Sequence, residues 1–215
     1  MSGTVKTRRY DSSRRRAAAR RTRRGILEAA VHRFVADGYA ATTMAVIAAD
    51  AGVAVDTIYS AIGTKAQVFR LLVESALSGE DEPVPALERD YVQSMREADG
   101  ARAKLTVYAR AVREIHVRLG PLFGVLRHAA EMDDELAALW SEIAQRRAEN
   151  MRLLAADLAG TGELRTDLAV DDVADIVWAT NSSELYDLLV RGRGWSPERF
   201  EAFLLDAWCR ILLEG

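Results

Sequence analysis

The sequence predicts an all-α fold, and three observations carry that prediction. Apolar residues recur at helical spacing, as with Ile26, Ala30 and Phe34 at i, i+4 and i+8. No strict alternation of apolar and polar residues lasts long enough to specify a strand. Glycines stand where the periodic runs end, at Gly38, Gly52 and Gly63.

The elements follow in order. A first helix is predicted over residues 17–37, with Leu27 and Val31 beside its apolar face. The Thr42-Thr43 hydroxyls then offer a cap for a short helix whose inner face is Met44, Ile47 and Ala48. Gly52 breaks it, residues 55–61 form a second short helix, and a longer one covers residues 65–78. The polar stretch from Gly79 to Pro83 reads as a linker. Beyond it, helices are expected over residues 86–98, 101–119, 121–131, 133–159, 171–190 and 196–213. The domain organisation is therefore a basic flexible arm over residues 1–19, a small helical domain over 20–79 and a larger helical domain over 80–215, with about nine helices in all.

Charge separates along the chain. The protein has 215 residues and a net charge of -3, yet residues 1–24 hold ten Lys and Arg against Asp11 alone. That end carries +9 and the remainder -12, an asymmetry that suggests a polyanion at one end, the alternative being a solvated tail without a partner. No apolar run approaches the ~20 residues that span a bilayer, and no hydrophobic segment follows the polar N-terminus. With one cysteine, Cys209, in an apolar helical pattern, the expected setting is cytoplasmic, with no membrane partner. The three histidines, His32, His116 and His128, form no metal-ligand spacing, and no phosphate loop or nucleophile elbow occurs. No enzyme, cofactor or metal is expected, and an enzyme using the C-terminal domain ranks last among the alternatives.

Two short helices joined by a tight turn containing glycine make a helix-turn-helix, whose second helix enters the major groove of DNA. Ile47, Val53 and Ile58 would fill the core between the helices, leaving Val55, Asp56, Thr57, Tyr59 and Ser60 outward. The pattern Thr42-Thr43-x3-Ile47-Ala48-x2-Ala51-Gly52-Val53-x3-Thr57-Ile58-Tyr59-x2-Ile62-x2-Lys65-x2-Val68 resembles the signature of the TetR family of repressors. The likeness covers residues 20–78, and the runs Val177-Trp178-Ala179-Thr180 and Arg193 through Phe200 resemble actinobacterial members. The chain departs from the family pattern at Ile62, where an aromatic is usual, and at Ala54, where a Ser or Thr cap is usual.

The resemblance implies that Thr43, Tyr59 and Lys65 touch DNA phosphates, with Thr42 beside them. Val55 and Thr57 suit thymine methyls, and Asp56 suits either a cytosine amino group or the first-turn dipole of its helix. The segment from Ala54 to Ala61 holds no Arg, Lys, Asn or Gln, so base reading is weak. Arg14, Arg15 and Arg16 would precede the first helix and reach a minor groove, while Arg20 meets a phosphate.

The same resemblance implies a palindromic double-stranded operator, a homodimer and a small-molecule effector. The last two helices would form the dimer seam through Val173, Val177, Leu188, Phe200, Leu204, Ala207, Trp208 and Ile211, the alternative being ordinary intramolecular core. Tyr91, Met95, Tyr108, His116 and Phe123 are candidate lining residues of an effector cavity. So are His128, Trp140, Met151, Trp178 and Asn181. Such a lining suits a hydrophobic or aromatic ligand. The expected function is a sequence-specific transcriptional regulator, a repressor released by its effector, with a ligand-independent architectural DNA binder as the alternative.

Overall fold

The computed structural model describes residues 11–79 and 84–214. Among the described residues ten α-helices follow one another: α1 Asp11–Asp37, α2 Met44–Ala51, α3 Val55–Ala61, α4 Lys65–Ser78, α5 Asp90–Glu97, α6 Ala101–Ala129, α7 Asp134–Ala159, α8 Val170–Thr180, α9 Ser183–Tyr186 and α10 Pro197–Leu212. A 3-10 turn, Ala86–Glu88, precedes α5, and a π-helical turn, Asp187–Gly192, follows α9. Among the described residues the only extended pairing is a single bridge between Leu164 and Leu213. The chain divides into two compact units, one up to Leu72 and one from Val73. The division falls inside α4, ahead of the polar stretch expected to be the linker.

In the first unit, Ile26, Ala30, Phe34, Ile47, Ile58, Val68 and Phe69 are fully buried. Phe34 meets Phe69 edge-on with ring centroids 5.1 Å apart, and Tyr39 packs on both rings. Arg33 fixes α1 to α2 through both oxygens of Asp50, with Nη2 donating to Oδ1 at 3.0 Å. That bidentate pair holds the Asp50 carboxyl below the usual range. Helix α1 starts at Asp11, so Arg14, Arg15 and Arg16 are helical and do not precede the first helix as expected. Ala17, Ala18, Ala19 and the arginines are all strong helix formers. The rest of the expected arm, residues 1–10, lies outside the described residues.

The second unit is built around α6, α7, α8 and α10. Helix α6 runs unbroken through Pro121, where two helices were expected. The stretch expected as one helix over 171–190 is instead interrupted after Thr180, where Ser182 caps α9 by accepting from Leu185 N–H at 3.2 Å. Asp133 and Ser196 cap α7 and α10 in the same way.

The expected dimer seam needs correction. Phe200, Leu204, Trp208 and Val173 have no exposed surface, and Val177 has almost none. They are core of the single chain. Trp208 stacks on Tyr108 at 5.6 Å and donates from Nε1 to Thr180 Oγ1 at 2.7 Å. Of the residues expected at the seam, only Leu188, Ile211 and half-buried Ala207 reach the surface. Helix α10 is apolar on two sides: Phe200, Leu204, Trp208 and Leu212 face inward, and Phe203, Ala207 and Ile211 form an outer stripe. Trp208→Ala is therefore expected to cost about 3–5 kcal/mol in urea unfolding, as a core deletion does. A loss below about 1 kcal/mol, nearer to that of a surface substitution, contradicts the assignment.

Candidate functional site

Two sites emerge, one in each unit. In the first, α2 and α3 meet at 97°, within the range of a helix-turn-helix. The corner is set by Gly52, whose left-handed backbone (φ 65°) lets its N–H reach Ala48 O and Ala49 O. Val53 N–H also donates to Ala48 O at 3.0 Å. Thr43 caps α2, its Oγ1 accepting from Val46 N–H at 3.3 Å. Ile47 and Ile58 close the small core of the corner.

The outward side of α3 presents Asp56, Tyr59 and Ser60, with Val55 and Thr57 half-buried. Tyr59 is 52% exposed, an unusual position for a large ring unless something covers it. Ala54 offers no side-chain cap, and Asp56 is the acidic residue of the first turn. Arg14, Arg15, Arg16 and Arg20 are exposed on α1.

Two candidates of this site lie elsewhere. Thr42 is 1% exposed, and its hydroxyl donates to Gly38 O at 2.8 Å. It secures the α1–α2 turn and offers DNA nothing. Lys65 turns inward: Nζ donates to Tyr39 O at 3.0 Å and Thr42 O at 3.2 Å and lies 4.0 Å from the Tyr39 ring centre. An ammonium that satisfies two loop carbonyls and a ring face holds the entrance to α2 in place.

The second site is a cavity of about 350 Å³, within the range of small-molecule sites. The end of α4 (Glu74, Leu77), the segment from Val84 to Tyr91, α6, α7 and Asn181 enclose it. Six of the ten candidate lining residues meet there: Tyr91, Tyr108, His116, Phe123, Met151 and Asn181. Met95 lines an adjoining space of about 180 Å³ that shares Tyr91, Tyr108 and Met151. Trp140 and Trp178 line a third, of about 370 Å³, that shares Phe123 and Arg147. His128 is exposed on α6 and lines none of these spaces.

The polar groups of the cavity converge at the end of α8, where Asn181 is buried. Asn181 O accepts from His116 Nε2 at 2.9 Å, and Trp178 O accepts from Arg147 Nη2 at 3.2 Å. Both serve carbonyls that a helix C-terminus leaves without intrahelical partners. Since Nε2 donates, the neutral ring leaves Nδ1 as an acceptor. Asn181 Nδ2 donates to Tyr108 Oη at 2.6 Å, and burial pushes the Tyr108 hydroxyl up. Among the described residues, His116 Nδ1, Asn181 Oδ1 and Arg147 Nε are shielded from solvent and have no hydrogen-bond partner. Arg147 also lies 4.6 Å from the Trp178 ring centre.

Arg147, Arg146 and Glu74 were not among the sequence candidates. Arg146 Nη2 meets Glu74 Oε1 at 2.6 Å and ties α7 to the end of α4. Charged residues within amphipathic helices read as a solvated face, so the sequence carries no signal for them. Lys104 is a similar case: it is 6% exposed, donates to Met95 O and Arg96 O, and pairs with Asp157 at 2.9 Å.

Residues 26–72 match the family model described as bacterial regulatory proteins, tetR family. Over longer stretches the likeness is to solved structures at low identity. NalD, the secondary repressor of the MexAB-OprM multidrug efflux pump in Pseudomonas aeruginosa, superposes with a TM-score of 0.71 and 20% identity, over 90% of this chain and 98% of that one. The SmeT–triclosan complex gives a TM-score of 0.69 at 20% identity, over 90% of this chain and 92% of that one. A transcriptional regulator from Saccharomonospora viridis in complex with choline gives 0.66 at 18%, over 90% and 98%. These three likenesses show a shared fold. No curated protein sequence matches this chain.

Burial lowers the His116 pKa from 6.5 to about 4. The unfolded chain therefore takes up the proton first. The stability that this neutral histidine contributes is present above pH 6.5 and is lost as the pH falls towards 4, on the order of 3 kcal/mol. Urea unfolding from pH 7 to 4 should show this loss, and His116→Gln should flatten it. An unchanged slope in the variant excludes His116 as its source.

Proposed function

We propose that this chain, whose residues 26–72 match the model of the tetR family of bacterial regulatory proteins, is a member of that family and a homodimeric repressor released from a palindromic operator by a small effector in the cavity of its second unit. The observation that carries this reading is the span of α4. Its first turn holds Lys65, bonded to the loop that enters α2, and its last turns hold Glu74 and Leu77, which line the cavity. One continuous helix therefore begins beside the DNA-reading corner and ends at the ligand site. An effector that binds one arrangement of α4 more tightly shifts the population towards it and changes operator affinity, typically by 1–3 kcal/mol of coupling in allosteric proteins. The lining is largely apolar with a few polar groups, as suits a hydrophobic or aromatic molecule. A ligand-independent architectural binder would have no use for such a cavity. An enzymatic reading finds no support, because His116, the cavity's histidine, is committed to the end of α8.

On DNA, Thr43, Tyr59 and the exposed arginines of α1 are the proposed phosphate contacts, with Val55, Asp56 and Thr57 at the bases. Because Arg14, Arg15 and Arg16 sit on a helix, they suit backbone phosphates better than a minor groove. Their joint replacement by Gln should lower the salt slope of binding by up to ~3 per protomer, about 5 for the dimer, since each phosphate contact contributes about 0.9. An unchanged slope removes them from the interface.

The outer stripe Phe203, Ala207 and Ile211, with Phe203 and Ile211 each 38% exposed and Leu188 66% exposed, is the proposed dimer surface. Selection from random DNA should return inverted half-sites one helical turn apart, about 34–36 Å. Phe203→Asp with Ile211→Asp should give folded monomers in light scattering that no longer hold such a site. Selection of unpaired half-sites, or an undisturbed dimer, rejects this assembly.

A further inference from the structure

We infer that the effector is an organic anion with an apolar body, whose carboxylate or similar acidic group is received by Arg147. The inference rests on the reading of the cavity as an effector site and adds to it the charge of the ligand. Among the described lining residues, Glu74 is the one carboxylate, and it is committed to Arg146 at 2.6 Å. Arg147 has no such partner: among the described residues no carboxylate lies within ion-pairing distance of it. Its contacts are one backbone carbonyl, through Nη2, and the face of Trp178. Nε–H is shielded and unbonded.

Capping α8 uses one N–H of a group that offers five donors in a fork matched to carboxylate geometry. A shielded donor left unmade is costly, and a half-buried cation without an adjacent anion adds to that cost. Burial already draws the Arg147 pKa down, with only the neighbouring Glu184 and Tyr108 opposing it. An anion entering the cavity removes that penalty, whereas a cation adds to it. His116 Nδ1 and Asn181 Oδ1 are neutral acceptors. They take an O–H or N–H on the ligand body and bring no negative charge of their own to Arg147. Tyr91, Tyr108, Phe123, Val112 and Met151 supply the apolar remainder.

The test uses the full-length protein and two fluorescent dyes that share one aromatic body. These are 1-anilinonaphthalene-8-sulfonate, which carries an anion, and N-phenyl-1-naphthylamine, which lacks it. The anionic dye should bind at least ~10-fold more tightly, a difference of about 1.4 kcal/mol. Arg147→Met should abolish the preference, and Arg147→Lys, which keeps the charge but loses the fork, should retain part of it. Ile115→Trp, which fills the cavity, should exclude both dyes and so locate the binding. Equal affinities in the wild type, or a preference that survives Arg147→Met, overturn the anion while leaving the cavity as an effector site. Tight binding of the neutral dye that releases operator DNA, with no such effect from the anionic one, does the same. Failure of both dyes to bind overturns the anion and the effector reading together.

Discussion

Helix α8 ends at the buried Asn181, with Ala179 still exposed, and much of the second unit answers the need to satisfy that end. A buried helix terminus leaves carbonyls that water cannot reach. Here they are met from two different helices, by His116 on α6 and Arg147 on α7. Both donors must therefore stand in the interior, at the edge of a space that α4 and the segment before α5 also border. The same break redirects the chain, because Ser182 starts α9 immediately afterwards, and Thr180 accepts from Trp208 at the centre of the core. The cap, the cavity and the indole core are thus one arrangement.

The first unit shows a comparable economy. Lys65 and Thr42, both polar and both expected at DNA, instead stitch the loop between α1 and α2 to the start of α4. The geometry of the reading corner depends on such internal bonds as much as on its small core of Ile47 and Ile58. The polar groups left at the surface of the corner and its flank include Thr43, Asp56, Tyr59, Ser60 and, on α1, Arg14, Arg15, Arg16 and Arg20. In the proposed complex with DNA, electrostatic attraction to the phosphates would carry a large share of binding, and the acidic remainder of the chain would add orientation.

The helix-turn-helix was legible because its signals are local: a hydroxyl cap, a glycine at the corner and fixed apolar spacing. The all-α class was legible for the same reason. The face of α10 was not. Its two apolar stripes, Phe200-Leu204-Trp208 and Phe203-Ala207-Ile211, share the same spacing, so periodicity alone does not say which one turns inward. The continuity of α6 through Pro121 and the break after Thr180 were missed because tertiary packing overrides a proline in one case and supplies a buried terminus in the other. Six cavity residues were found through aromatic, sulfur and amide side chains in an apolar setting. Arg147 was not, since nothing along the chain distinguishes a buried arginine from its solvated neighbours.

The 3-10 turn Ala86–Glu88 lacks any buried residue, and Leu87 is 45% exposed. This short stretch nevertheless forms part of the wall of the main cavity and of its neighbour. One side of the ligand site is thus built from backbone that contributes nothing to the core, while the other side is built from helices that the core cannot spare. Sequence change tolerated in a loop of this kind alters the shape of the chamber without unfolding the domain. If the cavity is the effector site proposed above, changes at that wall would exchange one ligand body for another while the end of α8 keeps its two donors.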